Sequence, residues 1–129
     1  MPKIKQLTVT IQNRPGTLAS VAGALGRAKI NILAFLTTTS GAEGYLHIVV
    51  DDVNKAKNTL EEGRFSYAEQ EVLYVELPNS AGALGRLSAK LAAKNLNITS
   101  AYATTVKASR KACVVLSLAN LDEAARVLS

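Results

Sequence analysis

Tryptophan is absent from the 129 residues, cysteine and histidine occur once each, and aromatic side chains make up only 5%. Each scarcity closes a route. With Cys113 alone no intrachain disulfide can form, which fits a reducing compartment. A soft-metal carrier would need several converging thiolates or imidazoles, so no metal or other cofactor is expected. His47, set between Leu46 and Ile48, lacks the partner that nucleophilic or acid–base catalysis requires and reads as a structural histidine on a strand. Phe35, Tyr45 and Tyr102 are too few for a base-stacking platform and read as packing residues. No apolar run approaches the roughly 20 residues that span a bilayer. The start of the chain alternates apolar and polar residues through Ile11, unlike a secretory signal. The expected location is the cytoplasm, without membrane contact.

What is present suffices for a folded core. Hydrophobic residues reach 48% and charged residues 19%, with no low-complexity tract. The net charge of +5 is compatible with anionic partners. Its Lys and Arg residues are scattered, however, and the densest stretch, 107–111, holds only Lys107, Arg110 and Lys111. Nucleic-acid binding is therefore expected to be weak and nonspecific.

The strongest signal is an internal repeat. At an offset of 66 residues Leu7 matches Leu73, Val9 Val75, Asn13 Asn79, Gly16 Gly82, Leu18 Leu84, Leu25 Leu91, Asn31 Asn97, Ile32 Ile98 and Thr38-Thr39 Thr104-Thr105. Further on the register moves by two residues, so that Val53, Ala56 and Leu60 match Leu121, Ala124 and Leu128. A short loop insertion accounts for the shift, because loop length costs little. Two domains, 1–70 and 71–129, are expected.

Each unit has the same periodicities. Leu7, Val9 and Ile11, like Leu73, Val75 and Leu77, alternate as in a half-buried strand. Asn13-Arg14-Pro15-Gly16 turns the chain into a helix whose apolar stripe is Leu18, Val21, Ala22, Leu25 and Ala28; Leu84, Leu87, Leu91 and Ala92 repeat it. Residues 30–39 and 45–50 form a strand pair across the turn 40–44, a second helix covers 53–62, and a strand at 65–71 closes the unit. This order predicts an α+β fold of two ferredoxin-like βαββαβ units, each an antiparallel sheet with its helices on one face. Units of this size are marginal alone, so the two are expected to pack together. The second unit runs out of chain after its second helix, so its last strand is expected to be missing. The edge 71–77 would then be open and would favour a homodimer.

The residues that bear chemistry also recur: Asn13, Gly16, Asn31 and Ile32, then Asn79, Gly82, Asn97 and Ile98. A helix starting after the glycine offers unpaired N–H groups and a positive dipole end to a carboxylate, through Thr17 and Leu18 or Ala83 and Leu84. Asn amides can both accept from an ammonium group and donate. Together these groups complement a free amino acid. Turn and strand-entry chemistry could explain each Asn singly, but not the recurrence of the pair at constant spacing. A hydrolase reading would use Arg14 with Asn31 to hold a phosphate and a water, yet no base is placed for it and the loop lacks the glycines that wrap phosphate.

The run Asn13-Arg14-Pro15-Gly16-Thr17-Leu18, followed by Lys29-Ile30-Asn31-Ile32, resembles the ACT-domain pattern N-R-P-G-x-L … G-x-N-I. The resemblance spans nearly the whole chain, arranged as in stand-alone tandem ACT proteins. In ACT proteins such as the serine-inhibited phosphoglycerate dehydrogenases, the turn Asn and the second-strand Asn contact the effector. By resemblance those roles fall on Asn13 and Asn31, with Arg14 in the same turn. Lys29 departs from the usual small residue, and Asn79-Ser80-Ala81-Gly82 lacks the Arg and Pro. The implied function is a non-catalytic sensor that binds an amino acid where ACT units meet, as a homodimer, and signals to a regulated enzyme or regulator. Two alternatives are a nucleic-acid or transcription regulator, suggested by a helix-turn-helix-like stretch from Leu18 to Ile32, and a purely structural oligomerisation module.

Overall fold

Alternation in the first apolar stretch produces strand β1 (Lys3–Gln12), which turns Leu7 and Val9 fully inward. The computed structural model describes residues 3–128. After β1 follow α1 (Thr17–Arg27), β2 (Ile32–Ser40), β3 (Glu43–Val50), α2 (Val53–Glu62), β4 (Ser66–Pro78), α3 (Ala83–Ala93), β5 (Ile98–Thr104), β6 (Lys111–Leu118) and α4 (Leu121–Leu128). The chain divides into two units, one of residues 5–70 and one of residues 71–128 joined by Lys3 and Ile4. Both are α+β and ferredoxin-like, with antiparallel strands.

In the first unit the strand order is β2-β3-β1, with the opening residues of β4 beside β1. The register sets Leu7 opposite Ile48 and Val9 opposite Leu46, so these four side chains share one face. Val21 and Leu25 of α1 and Ala56 and Leu60 of α2 close over that face and are fully buried with it. Removing about 25 cal/mol per Å² of apolar surface from water drives this packing. The second unit repeats it with Leu73 and Val75 of β4, Val114 and Leu116 of β6, Leu87 and Leu91 of α3, and Ala124 and Leu128 of α4. Its strand order is β4-β6-β5.

The helix ends show why the repeat preserved certain residues. Gly16 and Gly82 precede α1 and α3 at φ of 92° and 87°, a left-handed conformation that side chains disfavour. After α1 the Lys29 N–H donates to Gly26 O at 2.9 Å and the Ile30 N–H to Leu25 O at 3.0 Å. Asn95 and Leu96 repeat this pair of bonds after α3. Both Lys29 (φ 63°) and Asn95 (φ 57°) are left-handed, as this helix ending requires. Asp52 caps α2 by accepting from the Lys55 N–H at 3.1 Å, and Asn120 accepts from the Glu123 N–H at 3.2 Å at the start of α4.

Four expectations change. Leu18 and Leu84, assigned to the apolar stripes, are 40% and 58% exposed: they sit in the first helical turn, beyond the buried Val21–Leu25 and Leu87–Leu91 sections. The hairpin turn is shorter than 40–44, since Ser40 already pairs with Glu43 and Gly41 takes φ 63°. The closing strand of the first unit and the opening strand of the second are one continuous β4. Finally, β1 is the neighbour of β4 on the side away from β6. The start of β1 joins the second unit, Lys3 lies near Glu71, and the Lys3 ammonium reaches Asp122 Oδ1 on α4 at 2.6 Å.

Candidate functional site

Asn13 leaves the end of β1 and fastens the neighbouring hairpin. Its N–H donates to Ala42 O at 2.9 Å and its side-chain amide to Gly41 O at 3.0 Å. Asn79 does the same to the β5–β6 connection, through Arg110 O at 2.9 Å and Ser109 O at 2.8 Å. The recurring turn Asn is thus a clamp between the strand end and the adjacent hairpin. With each amide nitrogen donating to a carbonyl, the oxygen of the same side chain is left to face incoming donors.

Beside this clamp lies a cleft of about 220 Å³ lined by Asn13, Arg14, Gly16, Thr17 and Leu18, with Thr37 and Thr39 of β2 across from them. The Thr17 hydroxyl donates to Gln12 O at 2.7 Å, with Arg14 O at 3.0 Å, and so holds the turn against the helix start. The first helical bond of α1 runs from the Ser20 N–H to Gly16 O at 3.0 Å, and the N–H groups ahead of it emerge at the cleft. No acidic residue occupies that first turn. The volume is small beside the roughly 300–1,000 Å³ of drug-sized pockets and suits a ligand the size of an amino acid.

The second unit carries the equivalent cleft, of about 380 Å³, lined by Asn79, Ser80, Ala83, Leu84, Ala101, Tyr102 and Ala103. Position by position Ser80 replaces Arg14, Ala83 replaces Thr17 and Ala103 replaces Thr37, so a guanidinium and two hydroxyls become smaller or apolar groups. The second cleft is the larger of the two. Burial, with the nearby Tyr74, pushes the Tyr102 phenol up to about 12, so it stays protonated and able to donate at any ordinary pH. Gly82 lies in the adjoining helix cap.

Asn31 and Asn97 do not share these clefts. Asn31 precedes β2, where its N–H donates to Asp51 Oδ1 at 3.1 Å and its carbonyl accepts from the Asp51 N–H at 3.1 Å. Asn13 touches the turn at the far end of β2, and a strand from Ile32 to Ser40 spans about 26 Å. Asn97 likewise precedes β5, where a polar cavity of about 440 Å³ brings it together with Lys94, Asn95, Thr99, Asn120 and Glu123. Within either unit the two recurring Asn residues therefore stand at opposite ends. The same separation keeps Arg14 from Asn31, so the phosphate-and-water pair of a hydrolase is not assembled. Ile32 and Ile98 are half-buried against the two cores.

Thr37 and Thr39 line the first cleft without having been assigned to a site from the sequence, and Tyr102, read there as a packing residue, lines the second. For Thr39 the signal was available, since Thr38-Thr39 recurs as Thr104-Thr105; Thr37 has no such match, Ala103 standing at its place. His47 bonds Thr8 Oγ1 through Nδ1 at 3.0 Å on the sheet face away from the first unit's helices. The stretch from Leu18 to Ile32 is one helix and a turn leading into a strand, not two helices. Among the described residues no group of three His, Cys, Asp or Glu side chains could hold a metal ion. No described helix is long and apolar enough to cross a membrane.

Residues 5–62 match the family model of the ACT domain. No curated protein matches the chain. Among solved structures, a protein from Bacteroides thetaiotaomicron is 28% identical with a TM-score of 0.91, over 98% of this chain and 86% of that one. The ligand-free regulatory subunit of aspartate kinase from Thermus thermophilus is 16% identical with a TM-score of 0.69, over 98% and 95%. The corresponding subunit from Thermus flavus is 16% identical with a TM-score of 0.64, over 98% and 93%. At such identity the two kinase subunits establish the shared fold.

Proposed function

We propose that this chain is a cytoplasmic, non-catalytic sensor that binds a free amino acid and passes its occupancy to a regulated enzyme or regulator, a reading supported by the match of residues 5–62 to the ACT-domain model. The regulatory role, the amino acid, the binding at ACT–ACT interfaces and the partner are all part of the proposal. In this reading 1–70 and 71–129 are the two ACT domains.

The observation that carries the reading is the cleft at Asn13. It combines an Asn carbonyl oxygen for an ammonium group, the open N–H groups of the α1 start for a carboxylate, and Arg14 at the rim. Asn31 then enters as a contribution from another copy. Since it lies about a strand length from Asn13 in its own unit, a site holding both Asn residues takes one from each of two chains set side by side. That arrangement makes the effector site part of a homodimer interface. The smaller first cleft, with Arg14, favours a zwitterion with a small side chain, while the larger second cleft, with Ser80 at the matching position, favours a bulkier side chain or no ligand.

Thermal-shift titration with the twenty amino acids tests this. A true effector at 100 times its dissociation constant stabilises by about 2.7 kcal/mol. A flat response to all twenty, in a protein that otherwise melts cooperatively, would leave the domain without an amino-acid ligand and sink the reading.

A further inference from the structure

On the other side of the β1–α1 turn the first unit has a second cavity, of about 390 Å³, into which Arg14 and Arg64 both open. Arg64 comes from the turn after α2, held there by its N–H donating to Glu61 O at 3.1 Å and by the Phe65 N–H donating to Leu60 O at 3.0 Å. Two guanidinium groups thus arrive from separate turns that are fixed to the same core. No carboxylate lines the cavity. Among the described residues neither arginine enters an ion pair, although five Lys or Arg contacts to acids form elsewhere. Ser66 and Thr10 add hydroxyl groups, and Ile11 with the half-buried Phe65 supplies an apolar wall.

We propose that this cavity binds a phosphate group carried on a small organic body, at a site that adjoins the amino-acid cleft and shares Arg14 and Thr17 with it. Two unpaired guanidinium forks match the charge and the oxygen geometry of a dianionic phosphate better than those of a single carboxylate. The Ile11–Phe65 wall meets the apolar part of such a ligand. The site belongs to the first unit alone, since the residue matching Arg14 is Ser80. Arg64, Phe65 and Ser66 take no part in the cleft beside Asn13, so a variant at Arg64 tests this site apart from the amino-acid reading.

Calorimetric titration of the full chain with inorganic phosphate, phenyl phosphate and benzoate decides it. Phenyl phosphate is expected to bind saturably and about tenfold more tightly than inorganic phosphate, with benzoate weaker than both. Arg14→Gln and Arg64→Gly should each weaken phenyl phosphate by roughly tenfold or more, the loss of one charge-assisted bidentate contact. Glycine at 64 accepts the φ of 59° without strain, so this variant separates loss of the side chain from loss of the fold. Arg27→Gln, which removes an exposed arginine outside the cavity, should change the affinity less than about twofold. Benzoate binding as tightly as phenyl phosphate, equal losses in all three variants, or no saturable binding at all would each overturn the proposal.

Discussion

Asn13 combines two roles that mutation can separate. Its amide nitrogen ties β1 to the hairpin, and the residue lines the cleft proposed to bind the effector. Asn13→Ala should therefore cost about 1 kcal/mol of stability from the lost bond, and also weaken the effector by about 1–3 kcal/mol. Asn31 spends only backbone groups on Asp51, so Asn31→Ala should weaken the effector with little change in melting temperature. Unchanged affinity in both variants, measured by calorimetry, would remove the pair from the site. Lys29 offers the opposite experiment. It holds φ 63° at a position where glycine is unstrained, so Lys29→Gly should raise stability by about 1 kcal/mol in denaturant unfolding. His47 sets a pH dependence, because burial holds its imidazole below the ordinary value of about 6.5. As pH falls through that value the unfolded chain takes up the proton first, so this part of the stability is complete above about pH 6.5 and declines below it. Melting between pH 7.5 and 5 should show a shallower decline in His47→Gln; equal slopes would exclude the histidine. Asp122 and Glu69, lowered by Lys3 and by Lys57 with Lys5, lose their contribution only at more acid pH, so they leave that window clear.

Each helix is fixed by its ends as much as by its buried stripe. The eight to eleven residues of α1 to α4 are too few to be stable alone in water, and tertiary packing with well-formed caps sustains them. α2 draws on both: Ala56 and Leu60 are buried along it, and Asp52 accepts from the Lys55 N–H. Asp52→Ala should destabilise the protein by about 1 kcal/mol, with Asp52→Asn recovering most of the loss, as the native Asn120 at the equivalent position of α4 indicates. Chemical denaturation of the two variants checks this. Equal losses would mean that charge rather than hydrogen bonding sustains the cap.

For the molecule as a whole, the placement of the two Asn residues argues for assembly. If the site takes Asn13 from one copy and Asn31 from another, dimerisation and effector binding are linked, and each strengthens the other. Light scattering across a concentration series should show a dimer, with its midpoint at lower protein concentration when the effector is present. A strict monomer in both conditions would count against a shared site. The exposed Leu18 and Phe35 fit this arrangement, with Phe35 59% exposed on β2, the edge strand of the first unit.

The sequence by itself determined the local structure and the twofold repeat. Alternation at Leu7-Val9-Ile11, the spacing of Val21 and Leu25 and the glycines at 16 and 82 act through bonds and packing within a few residues, so their patterns are readable without coordinates. Only the tertiary structure decided what distant residues do. Asn13 is a clamp because Gly41, 28 positions away, is brought beside it by the pairing of β1 with β3. Leu18 is exposed because the fold leaves the first turn of α1 at the margin of the core, and helical spacing does not encode where a helix overhangs its sheet. The start of β1 joins the second unit, and Arg64 meets Arg14, through strand and turn placements that no local pattern specifies. Constant spacing between Asn13 and Asn31 records the length of an intervening helix, which carries the chain to the opposite end of the sheet and keeps the two apart.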